Sequence, residues 1–333
     1  MIVLAMQAGA GIQGSTGSSA TGLDVTGRDF ISIADLSSSE LESLITLATQ
    51  LKASLAAHQT HARLAGQVLA LVFQKPSLRT RASFEVAMHQ LGGHCMYLSP
   101  AEVQLGEREG VSDVARVLSR YVQGIVARTY QHEDVVNLAH WADVPIINGL
   151  SDHEHPCQAL ADMLTIREHH RGVNAPTLAW IGDGNNVAHS LMLAAPRAGV
   201  NLRVATPPGY EADEHVTHDA MSAADTAGLE LSVSHDPLEA VRGAEFISTD
   251  AWFSMGEEDE RDERKSSFRP FQINRDLLDR AGTNVKVMHC LPAHRGEEIT
   301  DEVLDSPAAI VFDQAENRLH VQKALLCHLL GDD

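Results

Sequence analysis

The sequence predicts an α/β protein with two doubly wound parallel-sheet domains, a cleft between them, and a C-terminal helix that packs back on the first domain. Two observations lead to this prediction. From residue 33 onward, short apolar runs of strand length alternate with longer segments of helical periodicity. This alternation is typical of parallel sheets joined by right-handed crossovers. The length of 333 residues is sufficient for two domains of ordinary size.

The first predicted domain starts with a helix over 35–57, in which leucines recur on one face behind a serine N-cap. A buried strand over 67–73 follows. Phe84, Ala87 and Leu91 then recur at helical spacing, which indicates a helix that ends at two glycines. Farther along, the pattern predicts strands over 94–98, 124–128 and 144–148, and helices over 110–121, 135–141 and 156–169.

The second predicted domain starts at Thr177. A strand over 178–181 leads through a tight loop into a helix over 187–198. The pattern then predicts strands over 202–205, 245–249, 286–289 and 309–312, and a final helix over 317–330. We expect a flexible tail over 1–28, a first domain made of 29–170 and 315–333, and a second domain over 171–314.

The composition argues against several classes of protein. The formal net charge of −20 argues against a nucleic acid as partner, because nucleic-acid-binding proteins are usually basic. No apolar run approaches the ~20 residues that a membrane-spanning helix needs, so we expect no membrane partner. The four cysteines are scattered without a CxxC pair, which is typical of a reducing cytosol. We therefore expect a cytoplasmic protein.

Residues 77–81, Ser-Leu-Arg-Thr-Arg, stand where the 67–73 strand ends and the next helix begins. The first turn of a helix has unpaired N–H groups and a partial positive charge, so it binds anions readily. Here the turn also carries the hydroxyls of Ser77 and Thr80 and the guanidinium of Arg79. The stretch therefore predicts a phosphate or carboxylate site, with an ordinary N-cap beside solvated arginines as the alternative.

Further charged and polar clusters follow the predicted strands. Because the carboxyl ends of parallel strands meet at one edge of a sheet, these clusters should converge on a cleft between the domains. They are Arg128, the stretch 153–158, the loop 183–186, Asp250, and the stretch 289–292.

These motifs resemble those of the aspartate/ornithine carbamoyltransferases over roughly residues 29–331. The stretch 77–81 resembles the family's carbamoyl-phosphate loop, although Leu78 replaces the usual threonine. The other matching motifs are His155-Pro156-Cys157-Gln158, Asp250 with Ser254-Met255-Gly256, His289-Cys290-Leu291-Pro292, and Gln314-Ala315-Glu316-Asn317-Arg318. The motif of Asp250 with Ser254-Met255-Gly256 and the motif His289-Cys290-Leu291-Pro292 resemble signatures of the ornithine branch.

The resemblance implies that the first domain binds carbamoyl phosphate and that the second binds ornithine. It assigns catalysis to Arg128, His155 and Cys290. It assigns carbamoyl phosphate binding to Ser77, Leu78, Arg79, Thr80, Gln104, Arg128, His155, Gln158, Cys290, Leu291 and Arg318, with Gln104 reaching from a neighbouring subunit. It assigns ornithine binding to Asn186, Asp250, Ser254 and Met255. Either Cys290 or the departing phosphate would take the amine proton.

The resemblance also implies a homotrimer or a trimer-based assembly, with no metal and no organic cofactor. A place in arginine biosynthesis follows if the acceptor is free ornithine. The Ser-Leu-Arg-Thr-Arg form is also similar to carbamoyltransferases of acylated ornithines, which leaves an N-acylated ornithine or another amine as an alternative. Asp250 favours free ornithine, because an α-ammonium needs a carboxylate partner.

Three other interpretations compete with a carbamoyltransferase. The loop 182–187 follows a strand and opens a helix as a nicotinamide-dependent dehydrogenase would require, but Val187 replaces the third glycine. The stretch His153-Glu154-His155 offers two metal ligands without a third at convincing spacing. A non-catalytic, phosphate-binding homologue would have lost part of the polar set that is present here.

Overall fold

The computed structural model describes residues 27–253 and 261–331, and its strands form two sheets in which every pairing is parallel. Strands alternate with helices along the chain, which confirms the predicted α/β class. The strands are β1 (Val68–Phe73), β2 (His94–Leu98), β3 (Gly124–Arg128), β4 (Ile146–Leu150), β5 (Thr177–Ile181), β6 (Asn201–Ala205), β7 (Leu231–Ser234), β8 (Phe246–Thr249) and β9 (Lys286–His289). The first sheet has the order β2-β1-β3-β4, and the second has the order β7-β6-β5-β8-β9.

Helices connect the strands and cover the sheets. They are α1 (Ser38–Ala56), α2 (Leu78–Gln90), α3 (Pro100–Val103), α4 (Val111–Leu118), α5 (His132–Trp141), α6 (Pro156–His169), α7 (Asn186–Arg197), α8 (Glu214–Ala227), α9 (Pro237–Ala240), α10 (Arg261–Phe268), α11 (Arg275–Ala281), α12 (Asp301–Leu304) and α13 (Val311–Leu330). Among the described residues, no helix is both long and apolar enough to cross a membrane.

The core explains why the apolar runs of the sequence form central strands. The side chains of β3 are all buried, as are those of β1 after its first residue, because helices cover both faces of the first sheet. Helix α13 packs against α1, α2 and α6, so the last element of the chain returns to the first sheet as predicted. Its buried residues include Leu325 and Leu326, which belong to the core cluster around the first sheet.

Each sheet has one point at which the direction of strand addition reverses. In the first sheet this point lies between β1 and β3, and in the second it lies between β5 and β8. The helices that follow neighbouring strands diverge there to opposite faces, which leaves a crevice at the carboxyl ends of the strands. The loops after β1, β3, β5 and β8 are therefore the places where a ligand can approach the backbone.

One predicted strand is wrong. The β-branched run 309–312 reads as a strand, but only Ala309 makes a bridge, to Val287, before α13 begins at Val311. The edge of the second sheet ends at β9 because the chain turns at once into the helix that returns to the first sheet. The predicted flexible tail lies outside the described residues except for Gly27 and Arg28, and Arg28 is tied to Glu40 by a 2.7 Å ion pair.

Candidate active site

The loop after β1 forms the N-terminus of α2. Ser77 is the N-cap, and its hydroxyl oxygen accepts a 3.3 Å hydrogen bond from the backbone N–H of Thr80. The Ser77 hydroxyl also donates to Thr80 Oγ1 at 3.1 Å. Leu78 is 81% exposed, so its side chain leaves the turn open to an anion. Arg81 lies elsewhere, over the Tyr97 ring and paired with Glu85.

Positive charge is concentrated around a buried histidine at the end of the first sheet. Arg128 ends β3 and is buried, and burial together with Arg318 and Arg79 lowers its pKa to about 10. His155 precedes α6, and burial, reinforced by Arg318 and Arg128, lowers its pKa well below the usual range. The imidazole is therefore neutral at pH 7 and can donate one N–H without adding charge.

A chain of hydrogen bonds joins three of the predicted residues. Arg318, on α13, donates from Nη1 to Gln158 Oε1 at 2.8 Å and from Nη2 to Thr80 Oγ1 at 3.1 Å. Since Thr80 Oγ1 also accepts from Ser77, both of its acceptor positions are used. The hydroxyl proton of Thr80 is consequently available to a further acceptor.

Several polar atoms in this cluster are buried without a hydrogen-bond partner among the described residues. They include Arg128 Nε, Arg318 Nε and His155 Nδ1. Buried polar groups are almost always satisfied in folded proteins, so each exception calls for an explanation such as a bound ion or ligand. The cluster therefore has the character of a binding site for an anion with several acceptor atoms.

Asp250 and Cys290 meet at the end of the second sheet. Asp250 follows β8, and its Oδ1 accepts a hydrogen bond from the Cys290 thiol at 2.9 Å, while its Oδ2 accepts from Asn185 at 3.1 Å. Burial and the adjacent Asp250 raise the pKa of the Cys290 thiol well above its usual range. Cys290 is thus a neutral thiol, and it lies near Arg128 and Arg318 of the cationic cluster.

The loop after β9 is held by a histidine in a defined tautomer. His289 Nδ1 accepts from the backbone N–H of Leu291 at 2.9 Å, so the ring proton is on Nε2, which donates to Glu298 at 3.0 Å. Leu291 has a positive φ of 59°, which places its carbonyl differently from that of an extended residue. The loop therefore presents Cys290 and Leu291 to the cleft in one fixed arrangement.

The remaining predicted site residues have different outcomes. Asn186 begins α7 and donates to the backbone carbonyl of Ser151 at 2.6 Å, which bridges the two sheets. Gln104 is exposed, in the left-handed conformation that ends α3, and no hydrogen bond joins its side chain to another described site residue. Ser254 and Met255 lie outside the described residues, as does part of the acidic segment that follows them.

The two sheets match two parts of one protein family. Residues 28–168 match the family model of the carbamoyl-P binding domain of aspartate/ornithine carbamoyltransferases, and residues 174–329 match that of the Asp/Orn binding domain. The chain belongs to the aspartate/ornithine carbamoyltransferase family. Both switch points therefore lie in segments that this family assigns to its two substrates.

Relatives in the family cover nearly the whole chain. The ornithine carbamoyltransferase of Pyrococcus abyssi is 51% identical over 309 residues, which are 93% of this chain and 98% of that protein. The solved structure of ornithine carbamoyltransferase from Pyrococcus furiosus has a TM-score of 0.90 at 50% identity, covering 92% of this chain and 98% of that one. The structure from Thermus thermophilus gives 0.81 at 46% identity, with coverage of 91% and 98%.

The glycine-containing loop after β5 does not have the role in this carbamoyltransferase that a dinucleotide-binding loop has in a dehydrogenase. A Cβ atom on Gly184 would lie 2.1 Å from the backbone nitrogen of Ala212. The glycine therefore makes room for the protein's own chain, where a dinucleotide fingerprint makes room for a pyrophosphate. Asn185 meanwhile caps α7 and donates to Asp250, so the loop is joined to the carboxylate that follows β8.

The described residues do not support a metal site at His153, Glu154 and His155. Glu154 accepts from the backbone N–H of Ile33 and from Ser190, and residues 153–155 are not in either group of described residues whose ligand atoms lie within 4.8 Å of one another. Asp250, His289 and Cys290 do bring ligand atoms within 4.8 Å of one another. Both ring nitrogens of His289 are already engaged, and the Cys290 thiol already donates to Asp250.

Sequence reasoning did not assign three residues that the structure places in this network. Asp162 and Gln314 join Gln158 to the loop after β9, and Asn185 holds Asp250. The signal for Asp162 was its spacing, because it stands four residues after Gln158 in the mostly apolar stretch 159–166 and so lies on the same face. Gln314 was part of a recognised motif but received no role.

Proposed function

We propose that this chain transfers the carbamoyl group of carbamoyl phosphate to the δ-amine of L-ornithine, giving citrulline and phosphate. The observation that carries the proposal is the meeting of a buried cationic cluster with the Asp250–Cys290 pair. The first suits a small dianion with a reactive carbonyl, and the second suits an amine. The relatives described above are ornithine carbamoyltransferases, and the one from P. furiosus is described as anabolic, which supports a role in arginine biosynthesis.

The first domain, 29–170 with 315–333, would bind carbamoyl phosphate. Ser77, Arg79, Thr80 and the N–H groups of the turn at Leu78 bind the phosphate through charge-assisted hydrogen bonds. Gln158, Arg318 and the carbonyl of Leu291 orient the carbamoyl end. Negative charge that develops on the carbonyl oxygen is stabilised by Arg128, His155 and the available proton of Thr80, in the manner of an oxyanion hole.

The second domain, 171–314, would bind ornithine. Asp250 pairs an ammonium group, and Asn186, Ser254 and Met255 contact the amino-acid backbone. An alkylamine with a pKa near ~10.4 is almost wholly protonated at pH 7, so it first loses one proton to solvent. The neutral amine then forms the new C–N bond as the C–O bond to phosphate breaks, and the departing phosphate takes the second proton. Cys290 positions the amine, since its own thiol is protonated.

We further propose a homotrimer or a trimer-based assembly in the cytoplasm, in which Gln104 of one subunit completes the phosphate site of the next. The exposure of Gln104 and of Leu78 supports this proposal, because both side chains are accessible at the surface of the single chain. No organic cofactor takes part in the proposed reaction.

A direct assay of the acceptor tests the proposed function. Citrulline or carbamoylated product is measured with carbamoyl phosphate and, separately, ornithine, N-acetylornithine, N-succinylornithine, putrescine and lysine. We expect kcat/KM for ornithine to exceed that of every other amine by about a hundredfold or more. The acylated ornithines lack the α-ammonium, putrescine lacks the carboxylate, and lysine holds its reacting amine one methylene farther away. A preference for an acylated ornithine would contradict the proposal. It would support the alternative, suggested by Leu78 in the 77–81 stretch, that the acceptor is an N-acylated ornithine.

A further inference from the structure

A buried carboxylate lies at the centre of the polar network, in contact with no predicted substrate group. Asp162, on α6, is 1% exposed. Its Oδ1 accepts from Gln158 Nε2 at 2.8 Å and from Gln314 Nε2 at 2.7 Å, while its Oδ2 has no partner among the described residues. One oxygen atom thus binds side chains from α6 and α13 at once.

The chemistry of the neighbours fixes how both glutamine amides point. An ionised carboxylate only accepts hydrogen bonds, so each amide must turn its NH₂ group to Asp162. At the other end, Gln158 faces a guanidinium of Arg318 and Gln314 faces the backbone N–H of His289, and both of these only donate. The carbonyl oxygens therefore point away from Asp162, the one toward the cationic cluster and the other toward the loop after β9.

We propose that Asp162 is a positioning residue for carbamoyl transfer, which turns the Gln158 carbonyl oxygen toward the carbamoyl group and ties the His289–Leu291 loop to the same point. This inference rests on the proposed function. The carbonyl oxygen of Gln158 has a second lone pair beside its bond to Arg318, and the carbamoyl NH₂ of the substrate is the group that fits it. Without Asp162, only the bond from Arg318 orients the Gln158 amide, so its carbonyl oxygen is held less firmly toward that NH₂ group.

A purely structural role explains the residue less well. Helices α6 and α13 already have other polar links, because Asn317 binds both Thr165 and Glu168. Burial also raises the pKa of the Asp162 carboxyl to about 6, so keeping an ionised group there destabilises the fold. A buried acid that costs stability and orients two amides beside the substrate site is expected where orientation matters to the reaction.

Three variants and two ligands test the inference by isothermal titration calorimetry. Asp162→Leu removes the acceptor at similar volume, Asp162→Asn keeps an acceptor at Oδ1, and Thr165→Val is the matched control from the next turn of α6. The probes are phosphonoacetamide, which has a carbamoyl end, and inorganic phosphate, which has none. Asp162→Ser, whose hydroxyl is too short to bind both amides, replaces the leucine variant should that one fail to fold.

We expect Asp162→Leu to weaken phosphonoacetamide binding about tenfold, and phosphate binding by less than about twofold, because one oriented hydrogen bond is lost. Asp162→Asn should stay within about threefold of the parent protein for both ligands, as should Thr165→Val. In a Gln158→Ala background, Asp162→Leu should add less than about threefold, because the bond to Gln158 is already absent and only the bond to Gln314 remains to be lost.

Equal weakening of both ligands by Asp162→Leu, a full additional loss in the Gln158→Ala background, or no loss at all would each overturn the inference. These titrations do not require ornithine. A parent protein that fails to carbamoylate ornithine therefore contradicts the proposed function, whereas the phosphonoacetamide and phosphate results decide the role of Asp162.

Discussion

Three arginines, Arg79, Arg128 and Arg318, hold positive charge close together in a chain whose formal charge is −20. Burial lowers the pKa of Arg128 and of Arg318, and the neighbouring guanidiniums lower that of Arg128 further. Like charges that are partly removed from water repel strongly, so an anion placed among them is bound tightly. Local geometry thus creates an anion site in an acidic protein.

Arg79 is the arginine of this group that stands in the anion-binding turn. Arg79→Ala should lower kcat/KM for carbamoyl phosphate by about a hundredfold or more, because a charge-assisted pair to the phosphate is lost. Arg81→Ala is the matched control two residues later, and its stacking on Tyr97 should make its effect smaller than about fivefold. Steady-state kinetics of both variants check this, and equal losses would remove Arg79 from the site.

The buried Asp162 carboxyl predicts a pH-dependent stability. Its pKa is raised from 3.8 to about 6, chiefly by burial and further by Asp250, while Gln158, Gln314 and Arg318 act in the opposite direction. The folded state therefore holds this proton more tightly than the unfolded chain, and stability falls as the pH rises through this interval. Above pH 6 the whole penalty is present.

The Asp162→Asn side chain cannot ionise. The free energy of unfolding of this variant, relative to that of the parent, should therefore increase by about 1–2 kcal/mol from pH 5 to pH 8. Urea denaturation of both proteins at the two pH values measures this difference. A difference that does not change with pH, or one that favours the parent at pH 8, would show that the carboxyl is not destabilised by burial.

At the scale of elements, the N-terminus of α2 joins local stability to ligand binding. Ser77 caps the helix and also orders Thr80, which Arg318 contacts from α13. By contrast, Ser37 caps α1 in the same way, through a capping box with Glu40, at a place remote from the cluster. Substitutions at these two caps can therefore distinguish the effect of helix-end stability from the effect on ligand binding.

Ser77→Ala and Ser37→Ala should each destabilise the protein by about 1 kcal/mol, because each leaves a helix N–H without its partner. Only Ser77→Ala should raise KM for carbamoyl phosphate, by about tenfold, since Thr80 loses its support. Thermal denaturation and steady-state kinetics test this pair. A similar rise in KM for Ser37→Ala would mean that helix stability alone controls binding.

The elements also show what the sequence predicts and what it leaves out. The bounds of β2, β3, α6 and β9 agree with the predictions, because apolar runs or a proline and helical periodicity delimit them clearly. The run 309–312 was predicted as a strand from β-branched residues, yet tertiary packing makes Val311 the start of α13. No periodic pattern led to a prediction of α8 and β7, between Ala205 and Glu245.

The candidate site was likewise predictable from the sequence in part. The clusters after strands could be predicted, since parallel strands bring their carboxyl ends together. The 2.9 Å contact between Cys290 and Asp250, forty residues apart, depends on β8 and β9 being neighbours, which the sequence does not reveal. Asp162 and Gln314 were missed for a related reason, because the hydrogen bond between them joins two helices that are far apart in the chain.

The whole molecule places one switch point from each sheet at the same cleft. The loop after β1 supplies Arg79, the end of β3 supplies Arg128, and α13 supplies Arg318. The loops after β5 and β8 lead to Asn185, Asn186 and Asp250. Hydrogen bonds cross between the two units, as from Asn186 to Ser151 and from the backbone of His155 to Ser190. The arrangement lets each sheet bind one substrate while the cleft brings the reacting atoms together.

The proposed assembly predicts complementation between subunits. Arg79→Ala and Gln104→Ala damage residues that, in a trimer, would come from different chains to one site. Coexpression of the two inactive variants should recover about a quarter of parental activity, because random assembly pairs an intact Arg79 with an intact Gln104 in that fraction of sites. A mixture no more active than either variant would place Gln104 in its own subunit's site or outside the site.

The division of the substrates between the two sheets is tested most directly by Asp250→Asn, with separate measurement of both KM values. The account predicts that KM for ornithine rises about 10- to 100-fold, because the ammonium loses its charged partner, while KM for carbamoyl phosphate stays within about twofold. Equal increases in both KM values would contradict it, since Asp250 would then serve both substrates or only the fold.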